Sequence, residues 1–473
     1  MTDRMTAARG DTRKAGFDRR LVPPMMLGSV LNPMNSTIVA VALVPIGAAF
    51  GAPPSQTAWL VSALYLATAL GQPIVGRLID IFGPRRLFLL STSLVGVAGV
   101  VGTLAPDLGV LIAARVLLGF GTCAGYPAAM ALLRSEAKRT GQDSPAGVLT
   151  ALAVANQTIA VIGPLLGGLL IGLGGWRATF ALNIPLAAVA VALGMLRLPK
   201  QPATDAAARS RPAARIDLPG MGLFAAMLIS LLLFLMNLHA GSWYLPVITV
   251  AAGAAFAVRE LRAGTPFIDL RVLGGNIPLL ATYGRALVAY VVSYAFLYGF
   301  TQWTEEGYGL SPLHAGLVQI PMFLVGIAVS VTVGRRNGVL GKFLFGAVGQ
   351  IAACVLMLTL TADSPVWMLV ALAVVFGVPQ GSNSLALQNS VYFQADPERI
   401  GSSAGLLRTF AYLGSMIASS ATAASFGQHA STSGMHHLAW VMLGAGVLYL
   451  LVSVFDRSLR RLSADPAEAA GKA

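Results

Sequence analysis

Groups that can bind a proton or hold a charge are scarce in this chain, and some stand where an apolar segment would otherwise run unbroken. The stretch LNPMNSTIVAVALVP, from Leu31 to Pro45, sets Asn32, Pro33, Asn35, Ser36 and Thr37 into an apolar run. A carboxamide donates and accepts hydrogen bonds but does not titrate, whereas a carboxylate in the same place would exchange a proton. Asn32 and Asn35 share one face of a regular helix, unless Pro33 bends it. None of the nineteen acidic residues falls midway along an apolar run. Glu305 and Glu306, at the end of one, are the best remaining proton-binding candidates, with a solvated rim pair as the rival reading. Arg115, Arg285 and Arg408 do fall inside apolar runs. A guanidinium keeps its proton, so these are fixed positive charges that must face a cavity or a partner. The sequence offers them no evident acidic partner. For Arg115, bonding to backbone carbonyls is the structural alternative.

Other chemistries find no support. His429, His436 and His437 cluster near the start of the last apolar run, and no metal is expected there. Cys123 and Cys354 both lie in apolar runs, so neither a disulfide nor a metal site is expected. There is no Gly-x4-Gly-Lys-Ser/Thr loop and no polar segment long enough to form a nucleotide-binding domain. No Ser-His-Asp set, histidine cluster or carboxylate pair sits mid-depth, so no enzyme activity and no cofactor are expected.

The elements that must position these side chains are membrane helices. The chain has 473 residues, 56% hydrophobic and 11% charged, and its mean hydropathy is +0.73. Soluble domains carry about 25% charged residues, so most of this chain is expected to be embedded in a bilayer. Its 52 glycines suit close helix packing, and the alternation of a membrane β-barrel is absent. Crossing takes about 20 apolar residues. Fourteen such spans can be read: 24–47, 56–79, 87–105, 107–133, 146–172, 176–196, 219–238, 243–261, 277–301, 313–334, 341–361, 365–392, 399–426 and 434–455.

The net charge of +13 sits in short clusters between spans, which excludes a nucleic-acid surface. Arginine and lysine fill the N-terminal tail and the even-numbered connections from the second to the tenth, while the odd-numbered ones are nearly bare, Arg177 excepted. That asymmetry places both termini in the cytoplasm. The polar start is a flank of an uncleaved first span, since no cleavage site follows it. The expected organisation is a tail (1–20), a six-helix bundle (21–197), a linker (198–218), two further spans (219–262), a connection (263–276), a second six-helix bundle (277–456) and a tail (457–473). An internal echo supports two halves: GRLIDIFGPRR (Gly76–Arg86) and GRRNGVLGK (Gly334–Lys342) each follow the second span of a half.

Four stretches give the chain a resemblance to the major facilitator superfamily, in its fourteen-span drug:proton antiporter branch. The first is the loop with Gly76, Leu78, Asp80, Gly83, Arg85 and Arg86, similar to the family's conformational signature; Ile81 and Pro84 depart from it, and Gly338 replaces the acid in the second half. The second is RVLLGFG from Arg115, tied in the family to proton coupling, with Leu118 where glutamine is usual. The third is GPLLGGLLIGLGGWRATFALNIP, whose Gly163, Pro164, Gly167 and Gly168 resemble the antiporter motif. The fourth is the opening stretch, where Asn35 occupies the family's acidic position.

The resemblance implies an all-α membrane protein of two six-helix bundles plus two central helices. It implies an exporter of drugs or metabolites working by alternating access and energised by an ion gradient, with protons as the candidate ion. It also implies a bacterial inner-membrane location. Substrate contacts are expected near the midplane, at Asn32, Asn35, Tyr65, Tyr126, Asn156, Gln157, Arg285, Tyr298, Gln302, Asn383, Gln388 and Arg408. Helix-to-helix hydrogen bonding is the alternative role for each. With arginines and no mid-depth acid, a neutral or anionic small molecule is favoured over a cation. A monomer in the lipid bilayer is expected. The rival functions are an anion or metabolite exchanger without proton coupling and a non-transporting sensor or scaffold on the same fold.

Overall fold

The computed structural model describes residues 18–140, 146–199, 217–236, 240–264, 266, 270–334, 338–395, 400–456 and 458–459. Every regular element among them is helical. Among the described residues eleven helices are long and apolar enough to cross a membrane, or twelve if one bent pair counts as a single span. Ala146–Gly174 and Ile400–Phe426 are further long helices outside that set. The chain is therefore an all-helical membrane protein, and length and apolarity among the described residues identify eleven or twelve of the fourteen expected spans.

The bent pair is the opening stretch. α1 (Val22–Ile38) passes through a tight turn, Val39–Val41, into α2 (Leu43–Phe50) at 58°. Pro45 has no N–H to offer the Val41 carbonyl, and its ring crowds that position, so the helix cannot run straight through. Ser36 Oγ donates to the Asn32 carbonyl at 2.9 Å, and Thr37 Oγ1 to the Pro33 carbonyl at 2.9 Å. Such back-bonding satisfies hydroxyls in an apolar setting and favours bending.

α3 (Pro54–Phe82) ends at Gly83, whose φ of +86° a side chain would strain, and Pro84 then opens α4 (Pro84–Thr103). Asp107 caps α5 (Leu108–Thr122), and α6 (Gly125–Thr140) continues beyond a break. α7 (Ala146–Gly174) contains Pro164. α8 (Arg177–Ala181) and α9 (Asn183–Arg197) follow. α10 (Leu218–Met236) and α11 (Tyr244–Arg262) form a hairpin joined by a Phe224–Phe256 contact with ring centroids 5.4 Å apart and a Ser230–Thr249 hydrogen bond of 2.9 Å. At its base Arg259 pairs with Asp217 at 2.8 Å. Burial raises the Asp217 carboxyl, but the Gly220 N–H and the Arg259 guanidinium outweigh it and hold the group below the usual carboxylate range.

After the short α12 (Leu270–Gly274), α13 (Ile277–Ala295) continues as two π turns, Phe296–Phe300 and Trp303–Gly307. The ninth span, expected to end at 301, thus reaches Gly307 and carries Glu305 inside the helix. The sequence reading ended it early because Gln302, Glu305 and Glu306 lower its apolarity. α14 (Pro312–Gly334), α15 (Val339–Leu358), α16 (Val366–Gln394), α17 (Ile400–Phe426) and α18 (Thr432–Phe455) complete the chain.

Helices α1 to α9 pack mainly on one another, as do α13 to α18. Two long antiparallel seams join the sets, α3 against α17 and α7 against α14, and α10 lies against both α3 and α17. The largest apolar cluster crosses the seams at the arginine-poor end, with Tyr65, Trp176, Phe296, Phe300, Trp303 and Phe376 among its members. Phe296 stacks on Phe376 with centroids 3.9 Å apart.

Candidate functional site

The glycines of α7 form two rows. Gly163 and Gly167, one turn apart, face α1: a Cβ on Gly163 would meet Thr37, and one on Gly167 would lie 2.6 Å from Val41. Pro164 and Gly168 face α14 across the seam. A Cβ on Gly168 would fall 2.6 Å from the Leu313 Cα and 2.7 Å from the Pro312 carbonyl, and one on Gly316 would fall 2.7 Å from the Pro164 carbonyl. The motif therefore brings backbone against backbone on two sides of one helix, the second contact reaching the other helix set.

At the same end the sets are tied by polar contacts. The Ser55 N–H donates to the Gly427 carbonyl at 3.3 Å, and the Ser419 hydroxyl to the Ala58 carbonyl at 2.8 Å. Deeper in, Tyr65 and Tyr298 meet hydroxyl to hydroxyl at 3.1 Å, and Tyr298 donates to the Ser36 carbonyl at 3.3 Å. Both rings are fully buried.

Beside them lies Arg115, 2% exposed. Its Nε donates to the Leu60 carbonyl at 2.8 Å and its Nη1 to the Asn35 carbonyl at 3.2 Å. Its Nη2 has no acceptor, and a small cleft lined by Asn35, Ile38, Val39, Arg115, Thr179 and Phe180 adjoins it. Arg115 thus grips helix backbones. Asn35 makes a reciprocal amide pair with Asn183 of α9, at 2.8 and 3.0 Å, and also donates to the Leu31 carbonyl at 2.9 Å. Both residues are buried. Asn32 lies lower, half-buried, donating to Thr122 at 2.9 Å.

Below the Tyr65–Tyr298 contact runs a polar and aromatic recess. Tyr290, Tyr294 and Tyr298 stack along α13 with centroids 6.1 and 5.8 Å apart. Tyr294 and Tyr412 both touch Tyr65, at 5.3 and 5.6 Å. Gln72 donates to the Tyr412 hydroxyl at 3.2 Å, and the Arg408 guanidinium lies 4.1 Å over the Tyr126 ring. Tyr126, Tyr290, Tyr294, Gln72 and Arg408 are all half-buried. Sequence reasoning missed Gln72, Tyr290, Tyr294 and Tyr412, and read Asn183 only as part of the antiporter-type stretch. The i, i+4 spacing of the α13 tyrosines was the available signal.

Glu305 is the exceptional acid. It is 7% exposed, and neither carboxyl oxygen has a hydrogen-bond partner among the described residues. A neutral carboxyl group tolerates such a site, whereas a carboxylate calls for water or a cation. Its two protonation states therefore differ in the surroundings they need. Glu306 is exposed and holds His429 at 3.0 Å and the Ala430 N–H at 3.1 Å, so the adjacent acids occupy different environments.

The remaining candidates fall elsewhere. Arg285 is not an unpaired charge: it pairs with Asp456 at 2.5 Å and donates to Thr282 at 2.8 Å. The sequence could not reveal this, since 171 positions separate the pair. Burial raises the Asp456 carboxyl, but Arg285 and Ser458 hold it below the usual range. Asn383 donates to Gln350 at 3.2 Å within the second helix set. Gln388 is exposed and bonds Ser384, while Gln302 is buried. In the signature loop, Arg85 donates to the Met195 carbonyl at 2.8 Å near the end of α9, tying α4 to α9. Gly76 has open space around it and Arg86 is exposed. The side chains of Asp80, Asn156 and Gln157 lie outside the described residues, as do most of the linker and the tails. Cys123 and Cys354 are free thiols, and no group of three metal-ligating side chains occurs among the described residues.

Comparison with known proteins gives a consistent picture. The family signature of the Major Facilitator Superfamily matches residues 25–419. The chain is 30% identical to the uncharacterized MFS-type transporter YwoD of Bacillus subtilis, over 90% of this chain and 94% of that one. It is 27% identical to the tetracenomycin C resistance and export protein of Streptomyces glaucescens, over 85% and 75%. Among solved structures, one described for substrate recognition in proton dependent oligopeptide transporters superposes with a TM-score of 0.64 at 13% identity, over 94% of this chain and 98% of that one.

Proposed function

This chain belongs to the Major Facilitator Superfamily, and on that premise we propose that it exports small organic molecules by alternating access across a bacterial inner membrane. It is a multi-pass membrane transport protein and not an enzyme. Export is supported by relatives whose names denote antibiotic resistance and export. In this reading residues 21–197 and 277–456 are the two moving bundles, 219–262 an inserted hairpin, and both termini are cytoplasmic. The observation that carries it is the seam at the arginine-poor end: Gly168 on Leu313, Gly316 on Pro164, and Ser55 on Gly427. These contacts join backbones of opposite bundles, so they can close and part as units while each bundle keeps its own packing. The signature loop, with Gly76, Asp80, Gly83, Arg85 and Arg86, steadies one state.

Proton coupling, in this proposal, passes through Glu305. Asn35 cannot titrate, and its amide is engaged with Asn183. Arg115 keeps its charge and organises backbone around the first helix. Opening the arginine-poor end would bring water to Glu305, and closing it would favour the neutral acid. The test is uptake into inside-out proteoliposomes under an imposed pH gradient, across a panel of cations, neutrals and anions. Gradient-driven uptake that Glu305→Gln uncouples is expected. Uptake that ignores the gradient would instead establish the exchanger reading, which the absence of an acid from the described part of the recess favours.

A further inference from the structure

The recess between the bundles carries more information than a polar lining. We infer that it is a binding site for planar aromatic molecules bearing a negative charge, held between the tyrosine wall of α13 and the guanidinium of Arg408. The inference rests on the transport reading above and specifies the solute that this reading leaves open.

Three observations carry it. First, the rings form a parallel stack: the planes of Tyr294 and Tyr298 lie 13° from parallel and those of Tyr290 and Tyr294 28°. The buried Tyr298 anchors the ladder, while Tyr290 and Tyr294 remain half-buried and so keep surface for a further ring. Offset stacking on such a surface selects a planar π-system over an aliphatic body of equal volume. Second, Arg408 is a permanent cation, and the ionisable groups around it are Tyr412, Tyr126 and Tyr290, with no carboxylate among them. Its guanidinium rests on Tyr126 at 4.1 Å. Tyr412 also hydrogen-bonds it. A cation held by a π-face and a neutral hydroxyl keeps further donors to offer to an incoming carboxylate or phenolate, a stronger partner than either. A cationic solute would meet Arg408 as a like charge, which is penalised in a desolvated site. Third, the half-buried amides of Asn32 and Gln72, which donate to Thr122 and Tyr412, border the same recess and could turn to polar substituents on the solute. The wall and the cation belong to α13 and α17, while Tyr126, Asn32 and Gln72 belong to the first bundle. A bound molecule would therefore bridge the two bodies that move.

The test is binding to the purified full-length protein in nanodiscs, with three matched probes: anthracenecarboxylate, anthracenylmethylammonium and the perhydrogenated carboxylate. The carboxylate of the aromatic probe is expected to bind roughly tenfold more tightly than either alternative, the scale of a desolvated cation–π or charge contact. Arg408→Gln should erase the preference for anion over cation, and Arg408→Lys should keep most of it. Tyr294→Leu should erase the preference for aromatic over aliphatic, and Tyr294→Phe should restore it. Thermal midpoints of all four variants separate loss of site from loss of fold. Equal or tighter binding of the ammonium probe, or preferences that survive both Arg408→Gln and Tyr294→Leu, would overturn the inference. Transport of other solutes without binding of anthracenecarboxylate would refute the inference and leave the exporter reading standing. Binding with the expected preferences but no transport of any solute would support the inference and refute the exporter reading.

Discussion

Replacing Gly168 by alanine adds one methyl group at the point where α7 meets α14. The new Cβ would lie 2.6 Å from the Leu313 Cα, and ordinary contact begins at 3.4 Å, so the helices must part by about 0.8 Å. Neither partner is a flexible side-chain end; both are backbone, and Pro312 stiffens the start of α14. Overpacking of this kind costs about 1–3 kcal/mol. Because the contact joins opposite bundles, the cost falls on the conformation closed at the arginine-poor end and not on the one in which the seam has opened. A penalty of that size shifts the equilibrium by about 5- to 150-fold towards the open conformation. Gly163→Ala supplies the contrast. Its Cβ would collide with Thr37 inside one bundle, a contact shared by both conformations, so it should lower the melting temperature and leave the equilibrium in place. Spin labels at the exposed Gln56 and Gln428, on opposite sides of the seam, would report the distance distribution. Gly168→Ala should populate a longer distance. A wild-type distribution in a folded Gly168→Ala protein, or an equal shift in Gly163→Ala, would refute the reasoning that the seam parts during transport.

Further outcomes follow from the same contacts. Glu305→Gln should leave solute binding intact and make transport insensitive to an imposed pH gradient; a gradient response equal to wild type would remove Glu305 from coupling. Asn35→Ala and Asn183→Ala should each destabilise the protein by about 1–3 kcal/mol, since each leaves a buried amide unpaired. The double variant should cost less than their sum, and simple additivity in thermal melts would mean that the pair contributes nothing. Asn35→Asp should destabilise as well, because the donor to Asn183 and to the Leu31 carbonyl is lost. Asp456→Asn should cost about 3 kcal/mol by stranding the buried Arg285 guanidinium. Since the Asp456 carboxyl is held below its ordinary value, its stabilisation is present above roughly pH 4 and is lost as pH falls through the native value. Acid melts in which wild type and Asp456→Asn keep a constant gap would contradict this.

Much of the fold was legible because apolarity is a property of consecutive residues. The long apolar runs became helices with ends set by Gly83-Pro84, Asp107 and Asn276. The antiporter-type glycines were legible as packing residues, but their two directions, one row to α1 and one to α14, depended on which helices flank α7. The ninth span was misjudged at its end because buried Glu305 reads as a surface residue in any local average. Arg285 was misjudged because its partner lies beyond the last helix. Asn35 was read as the remnant of a titrating site, and the structure pairs its amide with Asn183, a contact across 148 positions that no local signal marks.

The sequence by itself determined that the chain crosses a membrane repeatedly, which connections carry positive charge, and that the opening stretch cannot exchange protons. Those are sums over neighbours in the chain, and an amide stays an amide in any fold. Only the tertiary structure decided which polar groups are spent on holding helices together and which are left over. Asn35, Arg115 and Arg285 are engaged; Glu305 lacks a partner, and Arg408 rests on an aromatic face. Partnership depends on where rigid helices bring side chains more than a hundred residues apart, and hydropathy carries no record of that distance.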